Sequence, residues 1–514
     1  MQEVSQAWKD VQKRNYVPES FVEITLNVGD PDSQADGTPS SNGEVPFSEA
    51  SRLVDGTDRT PLPYATLEPK LWKLDGTMLL NPDAGPYPNQ GFISDYLCSG
   101  VGTFNVTIPT ITISFSRVFT ELIPGITITW ATAYDEYATR FRITAYANGI
   151  ETYRGEFEND SMMSVANADI DYYDQIVIEV LEWCEGRRRA RIESILVGIK
   201  KTYTKKELMS YTHEMLVDPL SFSLPKSKIT FKVQNLFGEY NPENPSGAER
   251  YLMDRQMITA RYGYKIDGST EWIKAGTFYM SEWETPQNGI TATFTARDAL
   301  EYMSDKYTGP NTGSLMDIAT AALEQACLPT MSDGSTRWVL DASLADISVP
   351  DGVNLNGNTI QEVLQLTANA ACSVFYQDRE GMVRIEPLRS SQTDYTVNRF
   401  NSYKNSEISL TKQLKSVDIN NGQYVLPVGS VGETQSIDNP LISSDRAPVV
   451  AQWIADYLVN RKILSGDFRA DPRADVLDRV TNQNSFSESV VLVTELNFSF
   501  NGAFRGNYEG RANV

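Results

Sequence analysis

Histidine is nearly missing from this sequence, because His213 is the only one among 514 residues. A Ser-His-Asp or Cys-His catalytic site would have to use it, yet the surrounding stretch SYTHEMLVDPL contains no nucleophile elbow such as GxSxG. A His-rich metal centre cannot be built within one chain from a single imidazole. We therefore expect His213 to be a partly exposed strand or loop residue rather than a catalytic base.

Cysteine is also scarce, with only Cys98, Cys184, Cys327 and Cys372. These four residues lie far apart in sequence and form no CxxC pair, so zinc coordination by thiolates is not expected. We interpret them as buried, reduced thiols of a protein made in a reducing cytoplasm.

Positive charge and long apolar runs are lacking as well. The chain has 45 basic and 67 acidic residues, a formal net charge of −22, which argues against nucleic-acid binding through a basic face and against docking on an anionic membrane. The first twenty residues have no apolar stretch after a basic start, so no secretory signal is expected. No run of eighteen apolar residues occurs, so no membrane-spanning helix is expected.

What the sequence does contain is a succession of short β-strands. Residues 21–26 alternate as a half-buried strand, and residues 91–200 carry strand after strand with turn residues between them, which is typical of a β-sandwich. Residues 315–326 have helical spacing after Ser314 as N-cap, and the pattern predicts another helix at 445–464. Because strand 21–26 has no partner nearby in sequence, we expect it to pair beyond residue 200, with the sandwich as an insertion.

The predicted fold class is mainly β and multidomain (α+β), with two β-barrel-like domains, small α/β units and an inserted β-sandwich. The expected division is an N-terminal segment and strand joining the first β-domain (1–47), the inserted sandwich (48–199), the first β-domain (200–308), a small α/β domain (309–398) and a second β-domain with the helix (399–514).

Four segments of the predicted sandwich resemble the galactose-binding-like jelly rolls that recur in carbohydrate-binding modules: ITISFS, GITITW, FRITAYANG and ARIESILVGI. Such modules hold sugars by stacking aromatic rings on the apolar face of a pyranose. The resemblance makes four residues glycan-binding candidates: Trp130, Tyr134, Tyr137 and Tyr146. Three acidic residues are weak candidates for a structural Ca²⁺, with a solvated surface as the alternative: Asp169, Asp171 and Asp174. No other cofactor is expected.

The remainder of the chain is similar to the tail-tip or baseplate hub proteins of tailed bacteriophages, a fold shared with contractile injection systems. The stretches that carry this resemblance, in order, are ITFKVQNLFGEYNPENPSG, RYGY, EWIKAGTFYMSEWETPQNGITATFTARDALEYMSDKY, ISSDRAPVVAQWIADYLVNRKIL, RADPRADVLDRV and ELNFSFNGAFRG. One departure is Leu477 before Asp478, where the family pattern leads us to expect glycine.

The resemblance implies a homotrimeric ring in the virion that joins the hexameric tail tube to distal tail or baseplate proteins, with a tail spike or fibre as a further partner. The chain would be synthesised in the bacterial host cytoplasm. The inserted sandwich would contact host surface glycan, and no enzymatic activity is expected. The alternatives are a receptor-binding protein and a tail-associated cell-wall-degrading protein, because a glycosidase needs only two carboxylates.

The loop between Gln234 and Met257 contains two Asn-Pro pairs. Each proline fixes its own φ and restricts the preceding residue, so the loop is expected to be rigid. A rigid loop with aromatic residues suits a contact between subunits, since little ordering entropy remains to be lost. The predicted interface residues are Tyr240, Asn241, Asn244, Tyr251 and Met253.

Overall fold

A computed structural model describes residues 1–14, 19–56, 59, 61–76, 78–79, 90–244, 247–286, 289–328, 335–389 and 395–512. The architecture is mainly β with several sheets and few helices, which confirms the predicted fold class. Within these residues no helix combines the length and apolarity needed to cross a bilayer.

The chain begins with a short helix, a strand and a second short helix: α1 (Gln6–Gln12), β1 (Ser20–Val28) and α2 (Pro31–Asp36). Side chains of β1 alternate, so that Val22, Ile24 and Leu26 all point into the core. This alternation gives β1 one apolar face, which has to be covered by strands from elsewhere in the chain.

The next segment is a β-sandwich with a five-stranded sheet, a three-stranded sheet and a separate strand pair. Its strands are β2 (Thr38–Ser41), β3 (Phe92–Leu97), β4 (Thr110–Phe119), β5 (Ile123–Thr129), β6 (Ala138–Ala147), β7 (Ile150–Glu158), β8 (Met163–Ile170), β9 (Tyr173–Trp183), β10 (Arg189–Ile192) and β11 (Ser194–Leu196). One sheet has the order β2-β4-β9-β6-β7, another has β11-β5-β8, and β3 pairs with β10. Apolar residues of these sheets share a single buried cluster, so the segment has its own core.

The two ends of this segment cross at close backbone distance. A Cβ atom on Gly29 would lie 2.3 Å from the Val197 carbonyl oxygen, and one on Gly198 would lie 2.4 Å from the Val28 carbonyl oxygen. Only glycine fits at such a crossing. The chain therefore leaves the end of β1 and returns beside it, which lets an insertion leave the surrounding strands undisturbed.

The predicted start of the insertion at residue 48 is wrong. Thr38–Ser41 pairs with β4 of the sandwich, so residues before 48 already belong to it. This stretch is rich in Gly, Pro, Ser and Asp, a composition typical of an exposed connection, but an edge strand needs few apolar residues because one side of it faces solvent.

Residues 199–297 form the first β-module. Its strands are β12 (Ile199–Tyr203), β13 (Leu208–Leu216), β14 (Lys226–Gln234), β15 (Met257–Ile266), β16 (Ser269–Glu284) and β17 (Thr291–Arg297). Strand β1 lies between β12 and β15, in antiparallel pairing with both. The N-terminal strand is thus part of this module, on the far side of the insertion.

Helices and short strands follow, and then the second β-module. The elements are α3 (Leu315–Gln325), β18 (Trp338–Leu340), α4 (Ile360–Ala370), β19 (Val374–Gln377), β20 (Val383–Glu386), β21 (Thr396–Val397), β22 (Glu407–Leu410), β23 (Leu414–Ile419), β24 (Tyr424–Pro427), β25 (Glu433–Ile437), α5 (Ala447–Leu458), β26 (Lys462–Phe468), β27 (Arg479–Gln483), β28 (Glu488–Phe500) and β29 (Phe504–Ala512). Short 3₁₀ helices occupy Ala50–Arg52, Thr132–Tyr134, Ala248–Tyr251, Ala299–Tyr302 and Ala342–Asp346.

The placement of residues 411–460 in the second β-domain is wrong. Val417, Leu441 and the buried side of α5 share one core with α3 and α4, so the α/β unit includes the sheet β24-β23-β25. Helix α5 is also shorter than the predicted 445–464, because the chain turns after Leu458 into strand β26.

The two β-modules form one continuous sheet of thirteen strands. Its order is β12-β1-β15-β16-β17-β14-β13-β28-β29-β26-β22, with β27 on β28 and β21 on β27. Strands β13 and β28 are antiparallel with Tyr211 opposite Phe500 and Leu216 opposite Glu495, and we call this pairing the β13–β28 seam. Residues of both modules belong to the same buried cluster, so the modules share a core across the seam.

Leu477 has a left-handed backbone, with φ of 66°. This is the position at which the family pattern led us to expect glycine. A leucine there costs about 1–2 kcal/mol relative to a relaxed backbone. The turn is therefore formed with leucine in place of glycine, and the backbone at Leu477 is strained. The Leu477 side chain packs against a small cluster that contains Val374 and Tyr376.

Shortening a core residue at the β13–β28 seam should destabilise the protein strongly. Leu496 is 1% exposed and lies opposite Met215, so Leu496→Ala should lower the unfolding free energy by about 2–5 kcal/mol. The matched control is Leu74→Ala, which removes a leucine side chain that is 92% exposed. Urea unfolding should show a change of about 0.5 kcal/mol or less for the control, and equal effects of the two variants would contradict the shared core.

Candidate functional site

The interface candidate Tyr240 is a core residue of its own chain. Its side chain is 3% exposed, its hydroxyl hydrogen-bonds to that of Tyr203, and its ring lies edge-on to Phe294 with centroids 5.1 Å apart. A buried ring cannot contact another subunit, so this prediction is wrong. Tyr240 instead fixes the loop to the first β-module from within.

Tyr251 is also buried, and its hydroxyl donates to Asp169 of the inserted sandwich over 2.6 Å. Arg250 pairs with the same carboxylate at 3.1 Å. Burial is the main reason that the pKa of Tyr251 is raised to about 12, with the Asp169 carboxylate adding to it, so the phenol stays a donor. Tyr251 therefore connects the loop to the insertion and is not exposed for a neighbouring copy.

The half-buried Asn241 and Asn244 stabilise the turns of the loop. Asn241 Oδ1 accepts from the Glu243 backbone amide at 3.0 Å, and Asn244 Nδ2 donates to the Gly238 carbonyl at 3.0 Å. Met253 is half-buried, and Pro245 of the second Asn-Pro pair lies outside the described residues. The polar side chains thus hold the loop together.

What the loop does expose is a pair of apolar residues that the sequence reasoning missed. Leu236 is 61% exposed and Phe237 is 87% exposed, next to Ile290, which is 61% exposed. We call these three residues the apex. The available signal was an apolar pair, LF, directly after the last alternating strand residue and before glycine.

The apex is held rigidly. Asn235 is buried, and its Oδ1 accepts from the Tyr240 amide at 3.1 Å while its Nδ2 donates to Thr285 Oγ1 at 3.0 Å. Its backbone amide donates to the Ile290 carbonyl at 2.7 Å. The exposed side chains therefore stand on a braced turn, and little conformational entropy remains to be lost when they are covered.

The three acidic residues suggested for Ca²⁺ do not form a cation site. Asp169 is held by Arg250 and Tyr251, and Asp174 Oδ2 accepts from the Asn148 backbone amide at 2.7 Å, while Asp171 is exposed at the bend between β8 and β9. Across the described ranges of the chain, no group of three His, Cys, Asp or Glu residues is placed to hold a metal ion. Their spacing in sequence suggested a cluster, but two of the three carboxylates have other partners.

Three of the four glycan candidates are packing residues. Trp130 is fully buried against Phe141 and Trp183, and Tyr137 is half-buried against the sandwich core. Tyr134 is covered by the Arg191 guanidinium, 4.8 Å from the ring centroid. Trp130 has no exposed face to stack on a sugar, so that prediction is wrong. Tyr134 and Tyr137 stay predictions, with part of each ring already used in packing.

Tyr146 is the exception. It is half-exposed on β6, on the same side as Arg140 and Arg142, and opposite Gln175 of β9. Arg142 pairs with Glu156 at 2.7 Å and with Glu179 at 2.9 Å. Tyr146 therefore lies on a sheet face whose charged side chains are arranged by ion pairs.

The expected burial of the four thiols is complete only for Cys98. All four are free, but only Cys98 is fully buried, Cys184 and Cys372 are half-buried, and Cys327 is exposed. Burial raises the pKa of Cys98 and Cys184 above the ordinary value and that of Cys372 to about 11, so these thiols stay protonated. The expectation of burial is wrong for Cys327.

His213 lies at the β13–β28 seam and is 1% exposed, so the expected partial exposure is wrong. Its Nε2 is 3.0 Å from Ser227 Oγ, and its Nδ1 is 2.8 Å from the Tyr262 hydroxyl, which in turn is 3.0 Å from that of Tyr211. A serine and a histidine at this distance resemble a nucleophile and its base. The adjoining void measures about 20 Å³, room for about one water molecule, so a substrate has no cavity beside the buried imidazole, although Ser227 itself is half-exposed.

Arg379, a residue of the α/β unit, lies close to the His213–Tyr262 group. Its guanidinium is 5.8 Å from the ring centroids of both Tyr262 and Phe498, and it pairs with Asp475 at 3.3 Å. Desolvation, reinforced by Arg379, lowers the pKa of His213 well below the ordinary 6.5. The imidazole is therefore neutral and acts as a hydrogen-bonding member of the core.

Because folded His213 resists protonation, acidification should reduce its contribution to stability. The unfolded histidine binds a proton as the pH falls below about 6.5, and the folded one does not, so stability is lost by at most about 1.4 kcal/mol per pH unit. Asp298 and Glu193 act in the opposite direction, since burial raises the pKa of each to about 7. Comparing His213→Gln with the parent protein cancels their contribution.

The stability deficit of His213→Gln should thus shrink by on the order of 1–2 kcal/mol between about pH 7.5 and about pH 5, as measured by urea unfolding. Thr212→Gln, on the exposed side of the same strand, should show a constant deficit. A His213→Gln deficit that does not change with pH would show that the histidine titrates normally in the folded protein.

Solved structures of tail and secretion components are similar in fold. The 43 kDa tail protein of prophage MuSo2 from Shewanella oneidensis matches at 13% identity and a TM-score of 0.41, over 60% of this chain and 94% of that one. A tail protein from Neisseria meningitidis MC58 matches at 11% identity and a TM-score of 0.44, over 61% and 94%.

A third structure is an E. coli component of the type VI secretion system, described as structurally similar to bacteriophage T4 tail proteins gp27 and gp5. It matches at 9% identity and a TM-score of 0.38, over 60% of this chain and 74% of that one. No protein-family model matches the sequence, and no curated protein matches it.

Proposed function

We propose that this protein is a structural hub of a bacteriophage tail tip or baseplate. Three copies form a ring in the virion, and the ring joins the hexameric tail tube to distal tail or baseplate proteins and to a spike or fibre. The chain is made in the host cytoplasm and incorporated there into the assembling tail. Assembly, rather than chemistry on a substrate, is its activity.

The observation that carries this proposal is the thirteen-stranded sheet that ends in an unpaired edge. Among the residues that the structure describes, strand β22 pairs with β26 and has no strand on its other side, and all four of its residues are exposed. A sheet edge with free N–H and C=O groups is a template for another chain unless it is covered. The rigid, apolar apex at another end of the sheet adds a second surface of the kind that subunit contacts bury.

A non-enzymatic role accords with the placement of the reactive groups. His213 is buried beside a void with room for about one water molecule, and burial raises the pKa of Cys98, Cys184 and Cys372 so that these thiols stay protonated. The cell-wall-degrading alternative would need two accessible carboxylates on either side of a bound glycan. A structural role needs only contact surfaces, and the β22 edge and the apex are of that kind.

The purified protein should have the mass of a trimer in light scattering coupled to size-exclusion chromatography. The trimer should also bind tubes of the matching tail-tube protein at one end, visible by electron microscopy. The control is the isolated tube with an unrelated acidic protein. A monomer that leaves the tube ends free would contradict the hub proposal.

A second function, glycan binding by the insertion, is favoured by the position of Tyr146. An aromatic ring on the same sheet face as paired arginine and glutamate side chains provides a stacking surface together with hydrogen-bonding groups, which is the composition of a sugar site. This function is compatible with a hub, since the insertion lies outside the continuous sheet.

Host-surface polysaccharides on a glycan array should bind the protein, and Tyr146→Ala should abolish that binding because the stacking surface is lost. Tyr172→Ala is the matched control, since Tyr172 is a tyrosine of the same sandwich that is 56% exposed. Equal binding by both variants would exclude Tyr146, and no binding by the parent protein would leave the insertion with a structural role only.

A further inference from the structure

The second β-module has an exposed apolar groove beside the edge strand β22. It measures about 580 Å³ and lies between residues 398–408 and the β27–β28 turn. Its apolar members are Phe486, which is 98% exposed, Phe400, which is 73% exposed, and Ile408, which is 54% exposed. We call this the β22 groove.

The two phenylalanines are held outward by their turns. Asn484 Oδ1 accepts from the backbone amides of Phe486 at 2.8 Å and Ser487 at 3.0 Å, and Asn398 Oδ1 accepts from that of Phe400 at 2.9 Å. Two phenylalanines held in this way leave a large apolar area in water. Covering that area would be favourable by about 25 cal/mol per Å² of apolar surface buried. A surface of this kind is typical of a protein interface.

The lining of the β22 groove carries two basic side chains and no carboxylate. These are Arg399 and Lys404, in a chain of net charge −22. Lys404 is shared between Glu407 at 3.4 Å and Asp467 at 3.3 Å. The Arg399 guanidinium lies 4.7 Å from the Phe400 ring centroid and makes no ion pair within the described part of the chain. The groove therefore offers a cation over an aromatic surface.

The apex has the complementary composition. Leu236 and Phe237 are its apolar members, and the same loop carries Glu243 and Glu249, neither of which forms an ion pair among the residues that the structure describes. Glu243 is exposed, two residues after Asn241, and the Asn241 side chain accepts a hydrogen bond from the Glu243 backbone amide. Rigid apolar residues on a loop that also carries unpaired carboxylates would fit a rigid apolar groove whose lining includes an unpaired guanidinium.

The two surfaces lie at opposite ends of paired strands. The loop follows Gln234, at the end of β14 that adjoins Leu208 of β13, whereas the groove adjoins Glu488, at the start of β28. Since Leu216, the other end of β13, lies opposite Glu495, β28 continues from there away from the apex. Both surfaces can therefore be occupied at once on one chain, as a head-to-tail contact requires.

We propose that the apex of one copy inserts into the β22 groove of the next copy, with Glu243 near Arg399, and that this contact closes the ring. The inference rests on the proposed trimeric hub and adds the pair of surfaces that make it. The contact also covers the unpaired edge of β22, because Ile408 belongs to both the strand and the groove.

Mixing two assembly-defective variants tests the contact. Phe237→Asp disables the apex and Phe486→Asp disables the groove, and both side chains are exposed, so neither change affects the core. Each variant alone should be a monomer in light scattering. An equimolar mixture should form a one-to-one dimer, because one intact apex and one intact groove remain between the two chains.

The control is Val106→Asp, which places the same charge at an apolar residue of the insertion that is 96% exposed and should remain trimeric. Circular dichroism and thermal melting of every variant should match the parent. If both Phe variants remain trimeric, the ring exists but closes through other surfaces, and if they also lose tail-tube binding, the tube is the occupant. If the variants are monomers that do not dimerise on mixing, apex and groove do not contact each other. A monomeric parent protein would contradict the hub proposal itself.

A charge exchange locates the contact more finely. Glu243→Arg and Arg399→Glu should each weaken the trimer by placing like charges together, and the double variant should restore it. The paired control is Glu151→Arg on the insertion, which should not change the mass. If the double variant does not recover the trimer mass, Glu243 and Arg399 do not face each other in the contact.

Discussion

The β13–β28 seam is the interaction on which the rest of the molecule depends. It converts two β-modules that are far apart in sequence into one sheet with one core. Beneath it, His213, Tyr211 and Tyr262 form a hydrogen-bonded group that is completely shielded from water. Arg379 brings the α/β unit to the same point and donates to the Pro472 carbonyl of the second module at 2.6 Å. Separating the modules would expose this polar group and the surrounding aromatic rings together, so the seam behaves as a single cooperative contact.

With the seam fixed, the other parts can vary without disturbing the sheet. The insertion leaves and returns through the close crossing at Gly29 and Gly198, and it touches the loop near the apex through Asp169, Arg250 and Tyr251. The loop is thus held on one side by Tyr240 in the core and on the other by the insertion. The exposed side chains of the loop are therefore supported both by the core of the first β-module and by the insertion.

Much of the fold could be predicted from local pattern. Alternation identified the strands, Ser314 identified the start of α3, and a lone strand at 21–26 required partners from beyond the insertion. The sequence could not predict which core residues 411–460 belong to, because the pattern of short strands does not indicate which helices pack against them. The departure at Leu477 was visible in the sequence, but only the left-handed backbone shows that the turn is kept with a residue that strains it.

The candidate surfaces were harder to predict, for a definite physical reason. Within an irregular loop there is no period to separate inward from outward side chains, so Tyr240 and Phe237, three residues apart, gave the same signal. Aromatic residues in the sandwich posed the same problem, since Trp130 and Tyr134 are covered by core and cation contacts while Tyr146 is not. Only the packing distinguishes an aromatic residue that supports a surface from one that forms it.

Hydrogen–deuterium exchange of the backbone amides tests the central claim most directly. If the seam unites the two modules, the amides of β13 and β28 should be among the slowest to exchange and should open together with those of β14 and β29 in one global step. Exchange of the two modules in separate steps, with the β13–β28 amides opening as early as those of the edge strand β22, would contradict it.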